Sequence, residues 1–167
     1  MVFAMGFFSL SAQNKDPEFV KYMNSPWVDS VFKTLSLNEQ VGQMIFVELR
    51  PSNTSTIVKS LDDAQKLGVG GAVLFKSTLP EGVALANSLQ KVSKTPMLIA
   101  IDGEWGLGMR LDDVSNFPYQ MALGSLKDNE LIYKMGLEVA RQAKRAGLHI
   151  NLAPTVDVNN NSLNPVI

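Results

Sequence analysis

An aspartate, Asp102, stands directly after the apolar run Met97-Leu98-Ile99-Ala100-Ile101. A carboxylate there is badly placed for a core and well placed for a site, because the carboxyl ends of buried parallel strands are where ligands bind in α/β folds. The residues that follow are Gly103, Glu104, Trp105, Gly106, Leu107 and Gly108. Glycines let a backbone pass close to a ligand. An aromatic ring beside carboxylates suits a saccharide: the flat C–H face packs on the ring and the hydroxyls bond the carboxylate. Arg110 lies further along the same segment, and its planar fork of donors suits hydroxyls, amide carbonyls or a carboxylate. Each residue also has a structural alternative. Asp102 caps the loop, Trp105 fills a gap in the core, and Arg110 pairs with Asp102, Glu104, Asp112 or Asp113.

Asp102 and Glu104 could be taken as the two carboxylates of a glycosidase. Two positions in one loop are poorly suited to flank a bond from opposite sides, so Glu104 is read as a pocket or supporting residue, as is Trp105. Asp157, at the exit of the run Leu148–Leu152, is either a site residue or the holder of a loop. Its neighbours Val156 and Val158 favour the holder, in a tightly packed turn. His149 starts that run, away from the ligand end, and reads as an ordinary packed or hydrogen-bonded residue. Gly68, Gly70 and Gly71 do not make the dinucleotide fingerprint, and no G-x-S-x-G elbow is present.

Composition removes other chemistries. The 167 residues contain no cysteine and one histidine, which excludes disulfides, thiolate metal sites, a cysteine nucleophile and any site built from several histidines. Lys plus Arg number 15 against 16 for Asp plus Glu, so no field draws nucleic acid or an anionic membrane. Residues 1–13, MVFAMGFFSLSAQ, have the apolar core and small-residue end of a secretory signal, without its charged start, and are too few to span a membrane. Export to the periplasm or the medium is the expectation that follows. Residues 14–25 read as a linker.

The elements that must hold these residues alternate. Ser25-Pro26 predicts a helix start, followed by Trp27, Val28, Val31, Phe32 and Leu35 at helical spacing. Ser36 with Glu39 has the capping-box pattern and predicts a short helix through Gln43. Met44–Leu49 reads as the first strand, Thr54–Leu67 as a helix ended by Gly68, and Ala72–Phe75 as the second strand. Leu79–Val92 reads as a helix and Met97–Ile101 as the third strand. Phe117-Pro118 closes the Gly-rich loop, and Asp128 caps a long helix from Asn129 to about Ala146. Leu148–Leu152 reads as a fourth strand, and residues 159–165 as loop. Such alternation predicts an α/β fold with parallel strands, apolar on both faces, and covering helices. An open doubly wound sheet and a truncated (β/α)8 barrel both fit.

Five stretches in order resemble the N-terminal domain of family 3 glycoside hydrolases, most closely the bacterial β-N-acetylglucosaminidases: LSLNEQVGQM (35–44), GGAVLF (70–75), PMLIAIDGEWGLGMRL (96–111), FPYQMALG (117–124) and GLHINLAPTVDVNNNSLNPVI (147–167). The resemblance implies the barrel, with residues 26–167 as its N-terminal portion. It implies that Asp102 and Arg110 are the substrate-binding residues of a retaining glycosidase acting on terminal β-linked N-acetylhexosamine, and that no metal and no organic cofactor is needed, since the mechanism uses only carboxylates and a proton shuttle. The family's first arginine after the glutamate is replaced here, where Trp105, Gly106 and Leu107 stand. The resemblance also implies that the nucleophile and acid/base lie downstream of Ile167, so that this chain carries no catalytic residue and is inactive alone. Two alternatives stay open: β-glucosidase or β-xylosidase specificity, and a non-catalytic sugar-binding half-barrel that self-associates through unpaired strand edges.

Overall fold

The computed structural model of the chain describes residues 17–158, 160, 161 and 163. The signal-like segment lies outside the described residues, as does most of the final loop. Among the described residues no helix is long and apolar enough to cross a membrane. The chain forms two compact units, divided after Leu35.

In the first unit, a 3-10 helix at Glu18–Tyr22 lies within the segment read as linker. Helix α1 then runs Pro26–Lys33, with Pro26 at its first position. Ser25 precedes it in extended conformation, but its side chain makes no capping bond. The helix is entered by the fixed φ of the proline rather than by the predicted serine cap.

The second unit is a parallel sheet with covering helices. Four strands, β1 (Phe46–Leu49), β2 (Gly71–Leu74), β3 (Leu98–Ile101) and β4 (Ile150–Asn151), pair in chain order, every neighbour parallel. The connections carry α3 (Thr54–Leu67), α4 (Leu79–Val92), a five-residue α5 (Gln120–Gly124) and α6 (Asn129–Arg145). Sequential parallel order is what consecutive β/α units of a barrel produce; an open doubly wound sheet reverses its order at a switch point. Helix α2 (Leu37–Gly42) precedes β1.

The ends of these elements follow the local chemistry. Asn53 Oδ1 accepts from the Thr56 N–H and starts α3, and Gly68, at φ 61°, ends it in the left-handed conformation that favours glycine. Asp128 Oδ1 accepts from the Glu130 N–H at 2.9 Å and caps α6. The strand read as Met44–Leu49 begins two residues late. The Met44 and Ile45 N–H groups donate back to the Val41 and Gly42 carbonyls, so they are unavailable to the sheet. Helix α5 has no sequence cap signal: Tyr119 precedes it and offers no side-chain bond.

One face of the sheet builds the core. Leu49, Leu74, Ile99 and Ile101 are buried with Ala64 of α3 and Leu85, Ala86 and Leu89 of α4. Each fully buried leucine or isoleucine contributes about 1.5–3 kcal/mol by leaving water. The expectation of two buried faces does not hold for β1: Phe46 and Glu48 are exposed on its other side, and so is Leu98 at the start of β3. That second face carries the candidate site.

The capping box at α2 makes a pH-dependent prediction. Glu39 accepts from the Ser36 N–H at 2.7 Å while Ser36 Oγ accepts from the Glu39 N–H at 3.3 Å. Lys94 Nζ reaches the same carboxylate at 2.8 Å. The Lys94 ammonium first, and the Ser36 N–H and hydroxyl after it, hold the Glu39 carboxyl down from 4.5 to about 2. A carboxylate lowered by folding contributes stability that is fully present above its unfolded value and is lost as pH falls through its folded one. Glu39→Gln should therefore melt below the unaltered chain at pH 7. That deficit should close as pH is lowered from about 4.5 to about 2, followed by thermal unfolding of the two chains side by side.

Candidate functional site

The strand registers place side chains in rows. Phe46, Gly71 and Leu98 form one row, and Glu48, Val73, Ala100 and Ile150 form the next. The Phe46 ring lies where a Cβ on Gly71 would project, which puts both on the face opposite the helices. Side chains alternate along a strand, so one more step along each strand gives Arg50, Phe75, Asp102 and Leu152. The ladder continues that far: the Phe75 N–H donates to the Leu49 carbonyl and the Leu152 N–H to the Ile101 carbonyl, both at 2.8 Å. A polar row thus stands at the carboxyl ends of the strands, on the face away from the helices.

Asp102 and Arg110 meet in this row. Arg110 Nη2 donates to Asp102 Oδ2 at 2.5 Å, and each side chain keeps 26% of its surface exposed. The Arg110 guanidinium lies 5.3 Å from the Phe75 ring centroid, and that of Arg50 lies 4.8 Å from the same ring. Arg50 Nε in turn donates to Glu48 Oε1 at 2.5 Å. Cation–π contact and ion pairing together fix the direction of both guanidiniums. Among the described residues Arg110 Nε is buried without a hydrogen-bond partner.

The Gly-rich loop delivers Arg110 to Asp102 through backbone bonds. The Ser77 N–H donates to the Arg110 carbonyl at 3.0 Å, and the Asp112 N–H donates to the Ser77 carbonyl at 2.9 Å. Arg110 is thereby fastened to the segment leaving β2. Leu107 and Leu111, 1% and 0% exposed, anchor the loop on either side of a 3-10 turn, Leu107–Met109. The structure also decides among the partners open to Arg110. Asp113 Oδ1 accepts from the Leu79 N–H at 2.7 Å, and Asp112 faces Lys76 at 3.3 Å.

Glu104 and Trp105 serve the loop. Glu104 Oε2 accepts from Thr155 Oγ1 at 2.8 Å, and its carbonyl accepts from Gln120 Nε2 at 2.7 Å. Trp105 packs edge-to-face with Tyr119, ring centroids 4.6 Å apart. The ring beside the Asp102–Arg110 pair is Phe75, which sequence reasoning counted only as the end of a strand. Asp157 is exposed, and the tight packing expected around it is not seen: Val156 and Val158 are 84% and 85% exposed. His149, at the other end of the sheet, accepts through Nδ1 from the Ile99 N–H at 3.0 Å, a structural bond.

Sequence reasoning passed over Arg50, Phe75, Asn151 and Thr155. For Arg50 and Phe75 a signal existed, since each directly follows a run that ends at a strand terminus. Asn151 was visible as the polar residue inside LHINL, and its role becomes clear only from its contacts. A cleft of 310 Å³ lies elsewhere, between α4 and α6, lined by Leu79, Val83, Arg141, Gln142 and others; neither Asp102 nor Arg110 borders it.

The arrangement offers acceptors and donors side by side. Asp102 has an oxygen not used by Arg110, and Arg50 and Arg110 hold N–H groups aimed by their carboxylates and a shared ring. Such mixed, preorganised hydrogen bonding next to an aromatic ring suits a polyhydroxylated ligand.

Comparison with known proteins bears on the fold and the family. Beta-hexosaminidase A of Pseudoalteromonas piscicida is 28% identical over 160 residues, covering 80% of this chain and 27% of that protein. Beta-N-acetylglucosaminidase/beta-glucosidase of Cellulomonas fimi is 22% identical over 147 residues, covering 84% and 24%. The chain thus spans about a quarter of the length of these relatives. Among solved structures, beta-glucoside phosphorylase BglX bound to 2FGlc superposes with a TM-score of 0.65 at 23% identity, over 81% of this chain and 24% of that one. This likeness supports the fold read from the strand order, the opening strands of a (β/α)8 barrel. Residues 36–167 match the Glycosyl hydrolase family 3 N terminal domain, and the chain belongs to that family.

Proposed function

We propose that the Asp102–Arg110 pair holds the hydroxyls of a β-linked N-acetylglucosamine unit in a retaining β-N-acetylglucosaminidase, and that the exposed face of the sheet is the floor of its sugar site. The observation that carries the reading is the pair itself: a partly exposed carboxylate at the end of β3, oriented by an arginine that Phe75 and Ser77 position. Two curated relatives bear hexosaminidase or N-acetylglucosaminidase names, which favours the acetamido sugar. Within this reading Asp102, Arg110, Glu104, Trp105 and Asp157 bind or support and do not cleave. Retaining hydrolysis needs a nucleophile and an acid/base about 5–5.5 Å apart across the scissile bond. Asp102 is committed to Arg110, and Glu104 to Thr155. The apolar residues 1–13 support export of the protein to the periplasm or beyond.

The test is hydrolysis of chromogenic β-N-acetylglucosaminide and β-glucoside by two polypeptides. One is the 167-residue chain; in the other, residues 36–167 are continued by the rest of a family 3 barrel. The reading expects turnover only by the continued form, faster on the N-acetylglucosaminide. Preference for the glucoside would transfer the site to the β-glucosidase alternative, a name the Cellulomonas fimi relative also bears. Turnover by the short chain would reopen Asp102, Glu104 and Asp157 as reacting groups.

A second reading is a sugar-binding half-barrel that pairs with another copy. The observation favouring it is that β1 and β4 are the sheet's two edges, with Phe46 and Leu98 exposed beside them on the open face. Sugar binding by a chain that sediments as a dimer would support it.

A further inference from the structure

Asp102 is held by more than its arginine. The next residue, Gly103, is gripped by a side chain from the neighbouring strand. Asn151 Oδ1 accepts from the Gly103 N–H at 2.9 Å, and Asn151 Nδ2 donates to the Gly103 carbonyl at 3.3 Å. One amide group thus closes on both polar atoms of one residue, in the manner of an added strand partner. Asn151 is the register partner of Ile101, so its side chain is on the helix-facing side while Asp102 is on the site side. A Cβ on Gly103 would stand 3.1 Å from Asn151 Oδ1, tighter than an ordinary contact, so a side chain there would press on the grip.

We infer that Asn151 is a positioning residue for sugar binding, acting on Asp102 through the Gly103 peptide. This rests on the proposed sugar site. Two facts separate it from a residue that only stabilises the fold. Asn151 is exposed, so it adds little to the apolar core. Its side-chain bonds also fall on the residue that sets the direction of the Asp102 side chain. The strand ladder reaches Leu152 without it, through the backbone bond from the Leu152 N–H to the Ile101 carbonyl. Thr155, two residues past Ala153 on the same exit, holds the Glu104 side chain, so the β4 exit steadies the β3 exit at a second point.

The test compares the unaltered 167-residue chain with Asn151→Leu, Asn151→Asp and Asp102→Ala in binding methyl N-acetyl-β-glucosaminide, followed by protein-observed NMR. Leucine fills the same space with no polar atom. Aspartate keeps the acceptor for the Gly103 N–H but replaces the donor to its carbonyl with a second, anionic acceptor oxygen. Asn151→Leu should bind about tenfold more weakly, the loss of a directed hydrogen bond, and should melt lower as well, because the buried Gly103 N–H and carbonyl lose their partner. Asn151→Asp, which keeps one of the two bonds, should bind more weakly than the unaltered chain. Without sugar, the Gly103 amide and the Arg110 guanidinium protons should exchange faster with water in Asn151→Leu, because the pair they belong to has been loosened. Wild-type affinity and exchange in Asn151→Leu, beside lost binding in Asp102→Ala, would overturn the positioning role and leave the sugar site standing. Undiminished binding by Asp102→Ala would overturn the sugar site itself, and the exchange rates would then decide on the clamp alone.

Discussion

Replacing Asp102 by alanine should abolish measurable sugar binding while leaving the fold in place. The side chain is the acceptor of the strand-end row Arg50, Phe75, Asp102 and Leu152, and Arg110 depends on it for orientation. A hydrogen bond to a charged group is worth about 1.5–3 kcal/mol, and a carboxylate gripping a sugar makes more than one. The expected loss is therefore about a hundredfold or more in affinity. Stability should change little, since the carboxylate is partly exposed and pairs of that kind contribute about 0–1 kcal/mol. Isothermal titration with methyl N-acetyl-β-glucosaminide and a thermal melt of the same sample measure the two quantities together. Asp102→Asn would sharpen the result: it keeps size and one acceptor but loses the charge that aligns Arg110, so its affinity should fall between those of the alanine variant and the unaltered chain.

The second large effect is expected at Gly106. Its backbone sits at φ 87° and ψ −179°, a conformation open in practice to glycine alone. A Cβ there would also meet Phe117 Cδ2 at 2.6 Å. Phe117 cannot simply withdraw, because its N–H donates to the Trp105 carbonyl at 2.9 Å. Backbone strain of about 1–3 kcal/mol and crowding of about 1–3 kcal/mol add at one point. Gly106→Ala should lower unfolding free energy by about 3 kcal/mol, measured by urea denaturation. It should weaken sugar binding as well, because Gly106 starts the turn that carries Arg110 to Asp102. A variant that lost stability but bound sugar normally would show that the loop tolerates a new path around Trp105.

Much of this was legible in the residues because local chemistry and tertiary packing agree. The helices at 54–67 and 79–92 were predicted with the bounds the structure shows; each begins with a polar cap, and the first ends in a left-handed glycine. Asp102 was legible because a carboxylate at the end of Met97–Ile101 has no place in a core. The partner of Arg110 was not. Asp102, Glu104, Asp112 and Asp113 lie within a few residues of one another, and only the bond from the Ser77 N–H to the Arg110 carbonyl, from a different strand exit, selects Asp102. Phe75 was missed for a related reason. Its role depends on lying one strand away from Asp102 in the register of the sheet, which spacing along the chain does not encode. Asp157 was judged by its flanking valines, an argument from hydrophobicity that fails when both are exposed in an irregular segment. Trp105 was read as a pocket or supporting residue, and spacing could not show that its ring packs on Tyr119.

The central claim is that the sugar lies on the open face at the strand ends, against Asp102 and Arg110. Chemical-shift mapping of the isotope-labelled chain with N-acetylglucosamine tests it most directly. The account predicts shifts concentrated at Asp102, Gly103, Arg110 and Phe75, with the Arg110 guanidinium protons protected from exchange. Shifts confined to the cleft between α4 and α6, around Val83 and Gln142, would contradict it.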